Sequence, residues 1–205
     1  MFDYISDIAF TPAVKTVQEK RGSRGMIAKA EKKGAFDEIV TPALAEFVAT
    51  QDMFFLGTAN EDGQPYIQYK GGALGFLKVI DEKTLAWADF AGNRQYISEG
   101  NLVGNQKAFI FMIDFVTKRR FKLWGTAQVV EDDPELLESL TDAEYPGRVE
   151  RAVVFTLDAW DANCPQHIHV RYPESEVAPM IEEMQTKIDD LQERLAKYEH
   201  NSTED

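Results

Sequence analysis

Residues 88–102 read ADFAGNRQYISEGNL, a passage from a strand-like run into a helical one through an arginine, amides and hydroxyls. A strand end that opens into a helix N-terminus offers free backbone N–H groups and a partial positive charge. With Arg94 among the polar side chains, these are the groups a phosphate monoester needs. Composition alone equally fits a solvated polar connector, the usual content of loops. Upstream, alternation along residues 64–72 puts Gln68 and Lys70 on one strand face, and two glycines follow that would admit a flat ligand. Lys70 there is either a cation for a ligand edge or a solvent-facing lysine. Downstream, Arg120, Lys122 and Trp124 share one face of a strand whose other face, Phe121 and Leu123, is core. The polar face is either a ligand wall or solvated.

Cys164, His167 and His169 invite a metal or nucleophile reading. The only other histidine is His200, in the tail, and no second cluster supplies further ligands, so no metal site is expected. A cysteine–histidine pair this close in sequence rarely converges on one substrate atom.

The elements that must position these residues follow from turn and period signals. Thr11-Pro12 and Thr41-Pro42 each place a hydroxyl cap before a proline at the first helical position. They predict helices from residue 12 to about 22 and from 42 to about 51, the second laying Leu44, Phe47 and Val48 on the core. Residues 22–36, basic and glycine-punctuated, are expected to form a loop with at most a helical turn. Strands are expected at 53–59, 65–70, 77–81, 84–90, 107–116, 119–131 and 149–158, with turns at Asp62-Gly63 and Asp81-Glu82-Lys83. Helices at 93–101 and from 134 to about 143 interrupt them, the latter capped by Asp133. Strands joined by such short turns close into an antiparallel barrel. In the tail, Ile181, Met184, Ile188, Leu191, Leu195 and Tyr198 are spaced three, four, three, four, three, an a/d seam on a long helix from residue 177. It packs on its own barrel or self-associates.

The formal charge of −13 opposes nonspecific binding to nucleic acid. Residues 174–205 carry −7 of it, so the rest is only mildly acidic and leaves room for a local phosphate pocket. A single cysteine excludes an intramolecular disulfide framework. No signal-peptide pattern or membrane-length apolar run is present, and a cytoplasmic protein without membrane attachment is expected.

Together, GSR (22–24), DGQPYIQYKGG (62–72), GFLKVID (75–81), DFAGNRQYISEGNL (89–102), RFKLWGTA (120–127) and NCPQHI (163–168) carry a resemblance that spans residues 22–171. The chain resembles the FMN-binding split-barrel proteins related to pyridoxamine 5′-phosphate oxidase, in a branch distinct from the oxidase itself. The resemblance implies a mainly β, α+β fold. Its centre is a six- or seven-stranded antiparallel split barrel (53–172); the N-terminal helices expected to pack on it (1–52) and the long C-terminal helix and tail (173–205), read from caps and heptad spacing, lie outside the shared core. It also implies a homodimer with flavin mononucleotide (FMN) at the subunit interface. Gln68, Tyr69, Lys70 and Gly71 would follow the isoalloxazine edge and ribityl chain. Asp89, Phe90, Asn93, Arg94, Gln95 and Tyr96 would hold the phosphate end, joined by Arg120. Asn163, Pro165, Gln166 and His167 would come from the opposite subunit.

The oxidases themselves carry an arginine-lysine pair after the phosphate-binding strand and an Arg-x-His-Asp cluster near the C-terminus. Here those regions read Asn93-Arg94-Gln95-Tyr96 and His167-Ile168-His169-Val170-Arg171. The flavin site therefore carries over and the vitamin-substrate site does not. The expected activity is that of an FMN-dependent oxidoreductase taking hydride from NADH or NADPH and passing electrons to a small acceptor or dioxygen. Lys70 or Arg120 would stabilise reduced flavin, and His167 would donate a proton. The rival readings are a carrier or sensor module without turnover, and a barrel holding deazaflavin or haem.

Overall fold

In the computed structural model, which describes residues 3–163 and 165–202, the elements fall largely where turn chemistry placed them. A short 3-10 helix (Ile5–Ile8) is followed by α1 (Pro12–Lys20), α2 (Arg24–Glu31) and α3 (Pro42–Ala49). Then come β1 (Met53–Ala59), β2 (Pro65–Gly71), β3 (Lys78–Val79), β4 (Thr84–Phe90) and α4 (Ile97–Gly104). The remainder is β5 (Lys107–Asp114), β6 (Arg119–Val130), α5 (Pro134–Leu140), β7 (Val149–Asn163) and α6 (Glu174–Ser202). Thr11, Thr41 and Asp133 each accept a hydrogen bond from the backbone of the first turn of the helix they cap. Among the described residues no helix is long and apolar enough to cross a membrane.

The seven strands form one antiparallel sheet in the order β2-β1-β5-β6-β7-β4-β3, so the fold is α+β. Its inner face buries Phe54, Leu56, Ile110, Met112, Leu123, Phe155 and Trp87, each at most 1% exposed. Burial of side chains this large stabilises the barrel by about 1.5–3 kcal/mol each. Helix α3 adds Leu44, Phe47 and Val48 to that core, with the Phe47 ring 4.4 Å from Phe121. Helix α5 covers the outer face of β4 and β7 with Leu136, Leu137 and Leu140. Those two strands are thus walled on both sides.

Several boundaries move from their sequence expectation, those of α2 and β7 for a tertiary reason. The expected loop at 22–36 contains helix α2. Its last residue, Glu31, is buried, pairs with Arg24 and accepts a hydrogen bond from Ser6 Oγ at 3.2 Å, contacts no local pattern reveals. Strand β7 runs on to Asn163 rather than ending at 158, because β6 pairs with it throughout and Asp37 bridges to Trp160 on its other edge. A bulge at Trp124/Gly125 re-aims the pair. Gly125 is obligatory there, since a Cβ would stand 2.1 Å from the Thr156 carbonyl oxygen. Strand β5 stops at Asp114, β6 stops at Val130, β3 shrinks to two residues, and α4 starts at Ile97 instead of 93.

The described chain divides into two compact units. The first holds Met1–Asp114 and Arg119–Gln166, and therefore the N-terminal helices with the barrel. The second holds Phe115–Lys118 and His167–Asp205. Within the second, the Arg171 guanidinium lies 4.9 Å from the Phe115 ring centre, and α6 leaves its apolar seam exposed.

Candidate functional site

Strand β2 is one edge of the sheet and, among the described residues, pairs only with β1, whereas β4 lies five strands along, next to the opposite edge. The sheet curls until these two meet, and side chains close the seam between them. Lys70 Nζ on β2 donates to Asp89 Oδ1 on β4 at 2.5 Å. Ser98 Oγ, in the first turn of α4, donates to Gln68 Oε1 at 2.7 Å. Asn101 Nδ2 donates to Thr58 Oγ1 at 2.9 Å, tying α4 to β1.

A shallow cleft opens along this seam. The structure brings Gln68, Lys70, Asp89, Phe90, Asn93, Arg94, Gln95 and Tyr96 together on its walls. Between β4 and α4 the backbone turns sharply: Arg94 and Tyr96 have φ of 60° and 53°, and Gln95 N–H donates to Asn93 Oδ1 at 3.2 Å. Left-handed backbone at non-glycine residues costs about 1–3 kcal/mol and persists where surrounding structure enforces it. Alternation of this kind turns successive N–H groups into a concavity that suits an anion. Tyr96 is the N-cap of α4 and supplies no side-chain acceptor, so the first N–H groups of α4 have no intrahelical partner. Free N–H groups at a helix start suit an anion.

The charge inventory of the cleft is balanced. Lys70, Arg94 and Arg151 stand against Asp89, Glu99 and Glu150. Lys70 is paired with Asp89, and Arg151 with Glu99 and with Glu150 at 2.8 Å. Burial works against the Arg151 charge, but the Glu150 hydrogen bond, the Glu99 charge and Tyr96 outweigh it, holding the guanidinium pKa above its ordinary value. Its carbon lies 5.2 Å from the Tyr96 ring centre, bracing the left-handed turn from beneath. Arg94, on that turn, is the cation of the cleft whose side chain lies open to solvent.

Other residues selected from sequence lie elsewhere. Tyr69 projects from the opposite face of β2 and is 60% exposed. The room left by Gly71 and Gly72 is taken by Tyr69 and Phe76, whose rings a Cβ would meet at 2.8 and 2.5 Å, so these glycines admit the chain's own aromatics. Arg120 sits on β6 outside the cleft, its Nε buried without a protein acceptor among the described residues. Its neighbour Lys122 pairs with Asp161 at 2.7 Å. The backbone of Asn163 ends β7, Pro165 and Gln166 follow exposed, and His167 opens the second unit with φ of 65°. Cys164 lies outside the described residues. No group of three or more metal-ligating side chains occurs among those described.

Tyr66, Ser98, Glu99, Glu150 and Arg151 also line the cleft and were not singled out from sequence. Ser98 and Glu99 lay within the recognised segment, on the first turn of its helix. Arg151 gave no local signal, because only the long-range register Asp89↔Arg151 between β4 and β7 brings it there.

The family model described as pyridoxamine 5′-phosphate oxidase matches residues 40–163, more than half of the chain. No curated protein matches in sequence. Among solved structures, a HupZ variant from Group A Streptococcus is 16% identical, with a TM-score of 0.50 over 60% of this chain and 99% of that one. A pyridoxamine 5′-phosphate oxidase candidate from Lactobacillus delbrueckii is 19% identical (TM-score 0.46; 60% and 94% covered). An FMN-binding protein from Syntrophomonas wolfei is 14% identical (TM-score 0.46; 73% and 97% covered). At such identities the likeness concerns the fold.

Proposed function

The chain belongs to the pyridoxamine 5′-phosphate oxidase family, as a branch distinct from the oxidase itself, and on that premise we propose that it is a homodimeric FMN-dependent oxidoreductase. The observation that carries this reading is the convergence of Arg94 and the uncapped start of α4 on a seam cleft walled by Gln68 and Lys70. The donor set suits the group. A phosphate monoester meets the left-handed turn, the free N–H groups of α4 and Arg94. Gln68 offers an amide to the polar rim of a flavin, and Lys70 a cation where negative charge gathers on reduction. Bound FMN would supply the redox chemistry, exchanging electrons with a reduced nicotinamide and a small acceptor or dioxygen. The protein binds and orients it; Asp89 holds the Lys70 ammonium in the seam.

The dimer rests on the outer face of the same sheet. Phe55, Ile67, Phe109, Phe111 and Trp124 line an open apolar groove of about 670 Å³ on β1, β2, β5 and β6. Tyr66 lines both groove and cleft, so a second copy seated in the groove reaches the cleft edge. In this arrangement His167 of a second copy is the candidate proton donor.

Titration of the purified protein with FMN and with riboflavin, followed by anaerobic addition of NADH or NADPH, tests the reading. Saturable FMN binding, weaker riboflavin binding and bleaching by nicotinamide are expected. No FMN binding overturns it. FMN that binds and is never reduced replaces it with a carrier or sensor, and exclusive binding of deazaflavin or haem replaces the cofactor.

A further inference from the structure

Helix α6 carries an apolar stripe that its own unit leaves bare. Ile181, Met184, Ile188, Leu191 and Leu195 are 58%, 56%, 46%, 53% and 59% exposed, although the helix runs for 29 residues. A solvated helix has no use for such a stripe. Its spacing is that of a two-faced seam, with Ile181, Ile188 and Leu195 at a and Met184 and Leu191 at d. The stripe begins after Pro179, the one proline inside the helix, so its residues lie on uninterrupted α-helix.

We propose that α6 forms a parallel two-stranded coiled coil with a second copy of this chain. The occupant and its direction follow from the residues that flank the seam. Lys187 and Arg194 occupy successive g positions, whereas the e positions Gln185 and Gln192 are neutral; Asp189, Asp190, Glu182 and Glu183 sit at b and c, away from the seam. An antiparallel pair sets g against g and brings Lys187 beside the partner's Arg194, a like-charge contact. A parallel pair sets g against e and places Lys187 beside a glutamine carbonyl that accepts its hydrogen bond. Arg194 is steadied within its own helix by Asp190 at 3.7 Å. Isoleucine at two of the three a positions, with Leu191 at d, favours two parallel strands over three or four. The acidic outer face keeps further copies away, so the assembly closes at two.

Cross-linking of the full chain tests this. With Cys164→Ser as background, Ile181→Cys places one thiol at the start of the seam. A parallel pair sets the two thiols side by side; an antiparallel pair separates them by roughly 25 Å along the axis, at 1.5 Å per residue. A bis-maleimide is expected to give a covalent dimer, and adding Ile188→Asp and Leu191→Asp is expected to abolish it. Both positions are exposed, so the barrel folds as before, checked by unchanged thermal melting of the first unit. Failure of Ile181→Cys to cross-link, or cross-linking that survives the two aspartates, overturns the proposal. A chain that stays dimeric without cross-linking overturns the coiled coil and leaves the barrel dimer intact. Cross-linking that persists in Phe109→Asp supports the tail contact independently of the groove.

Discussion

The two faces of strand β2 have opposite chemistry, and each is the reverse of what solvent exposure alone would select. Tyr66, Gln68 and Lys70 are half-buried in the cleft, whereas Pro65, Ile67 and Tyr69 on the other side are exposed. An ordinary edge strand puts its apolar residues inward and its polar ones out. Here polar groups are sheltered, where a ligand can use them, and apolar groups are bare, where a second molecule can cover them. Such inverted patterning fits the proposed flavin on one face and the proposed second copy on the other.

The largest effect is expected on the apolar side. In a chain whose tail already carries Ile188→Asp and Leu191→Asp, Phe109→Asp puts a charge in the middle of the groove and costs the dimer on the order of 3 kcal/mol, enough to halve the molar mass at micromolar concentration in sedimentation. An unchanged mass would remove the groove as the dimer surface. On the polar side, Arg151→Met leaves Glu99 and Glu150 facing each other without their cation. A loss of about 2–3 kcal/mol in denaturant melts is expected, below the usual cost of breaking a buried pair because Glu99 is 34% exposed. Restoration by adding Glu99→Gln would tie the loss to charge rather than packing. Arg94→Ala is expected to weaken FMN binding about 10–100-fold, about 1.4–2.8 kcal/mol, with riboflavin binding unchanged. Equal weakening of both ligands would show that Arg94 does not read the phosphate.

The smallest effect lies off both faces and serves as a control. Lys15 Nζ donates to Asp7 Oδ1 at 2.6 Å and holds the Asp7 carboxyl below its ordinary value against the cost of burial, helped by the N–H groups of Tyr4 and Asp3. A depressed folded pKa contributes stability above the ordinary carboxylate pKa of about 3.9, and that contribution is lost as pH falls through the folded value. Asp7→Asn should therefore lower Tm slightly at pH 7, and the gap to the parent should close below about pH 4. A gap that persists at low pH would assign the effect to packing.

The strands were legible because punctuation is local. Asp62-Gly63 and the Asp81-Glu82-Lys83 turn bracket their runs, and capped prolines mark α1, α3 and α5. Helix α2 was missed because its anchor, Glu31 with Arg24 and Ser6, is tertiary. The end of β7 was misplaced because its continuation depends on pairing with β6 and Asp37. In the cleft, the segment from Asp89 to Tyr96 was found through its motif and strand-to-helix chemistry. Arg151 was hidden, since a buried arginine beside a strand start looks like any surface charge until register is known. Gly71 and Gly72 misled in the other direction: sequence shows that a glycine leaves room, not who fills it.

Because β2 and β4 are joined by side chains instead of a backbone ladder, the last stave of the barrel is exchangeable. Water, ions or a bound molecule can replace Lys70–Asp89 or Ser98–Gln68 without tearing the sheet. Whatever binds in the seam becomes part of the wall, so occupancy and mechanical integrity are linked. A ligand that binds the folded seam and not the unfolded chain would raise thermal stability with the logarithm of its concentration above saturation.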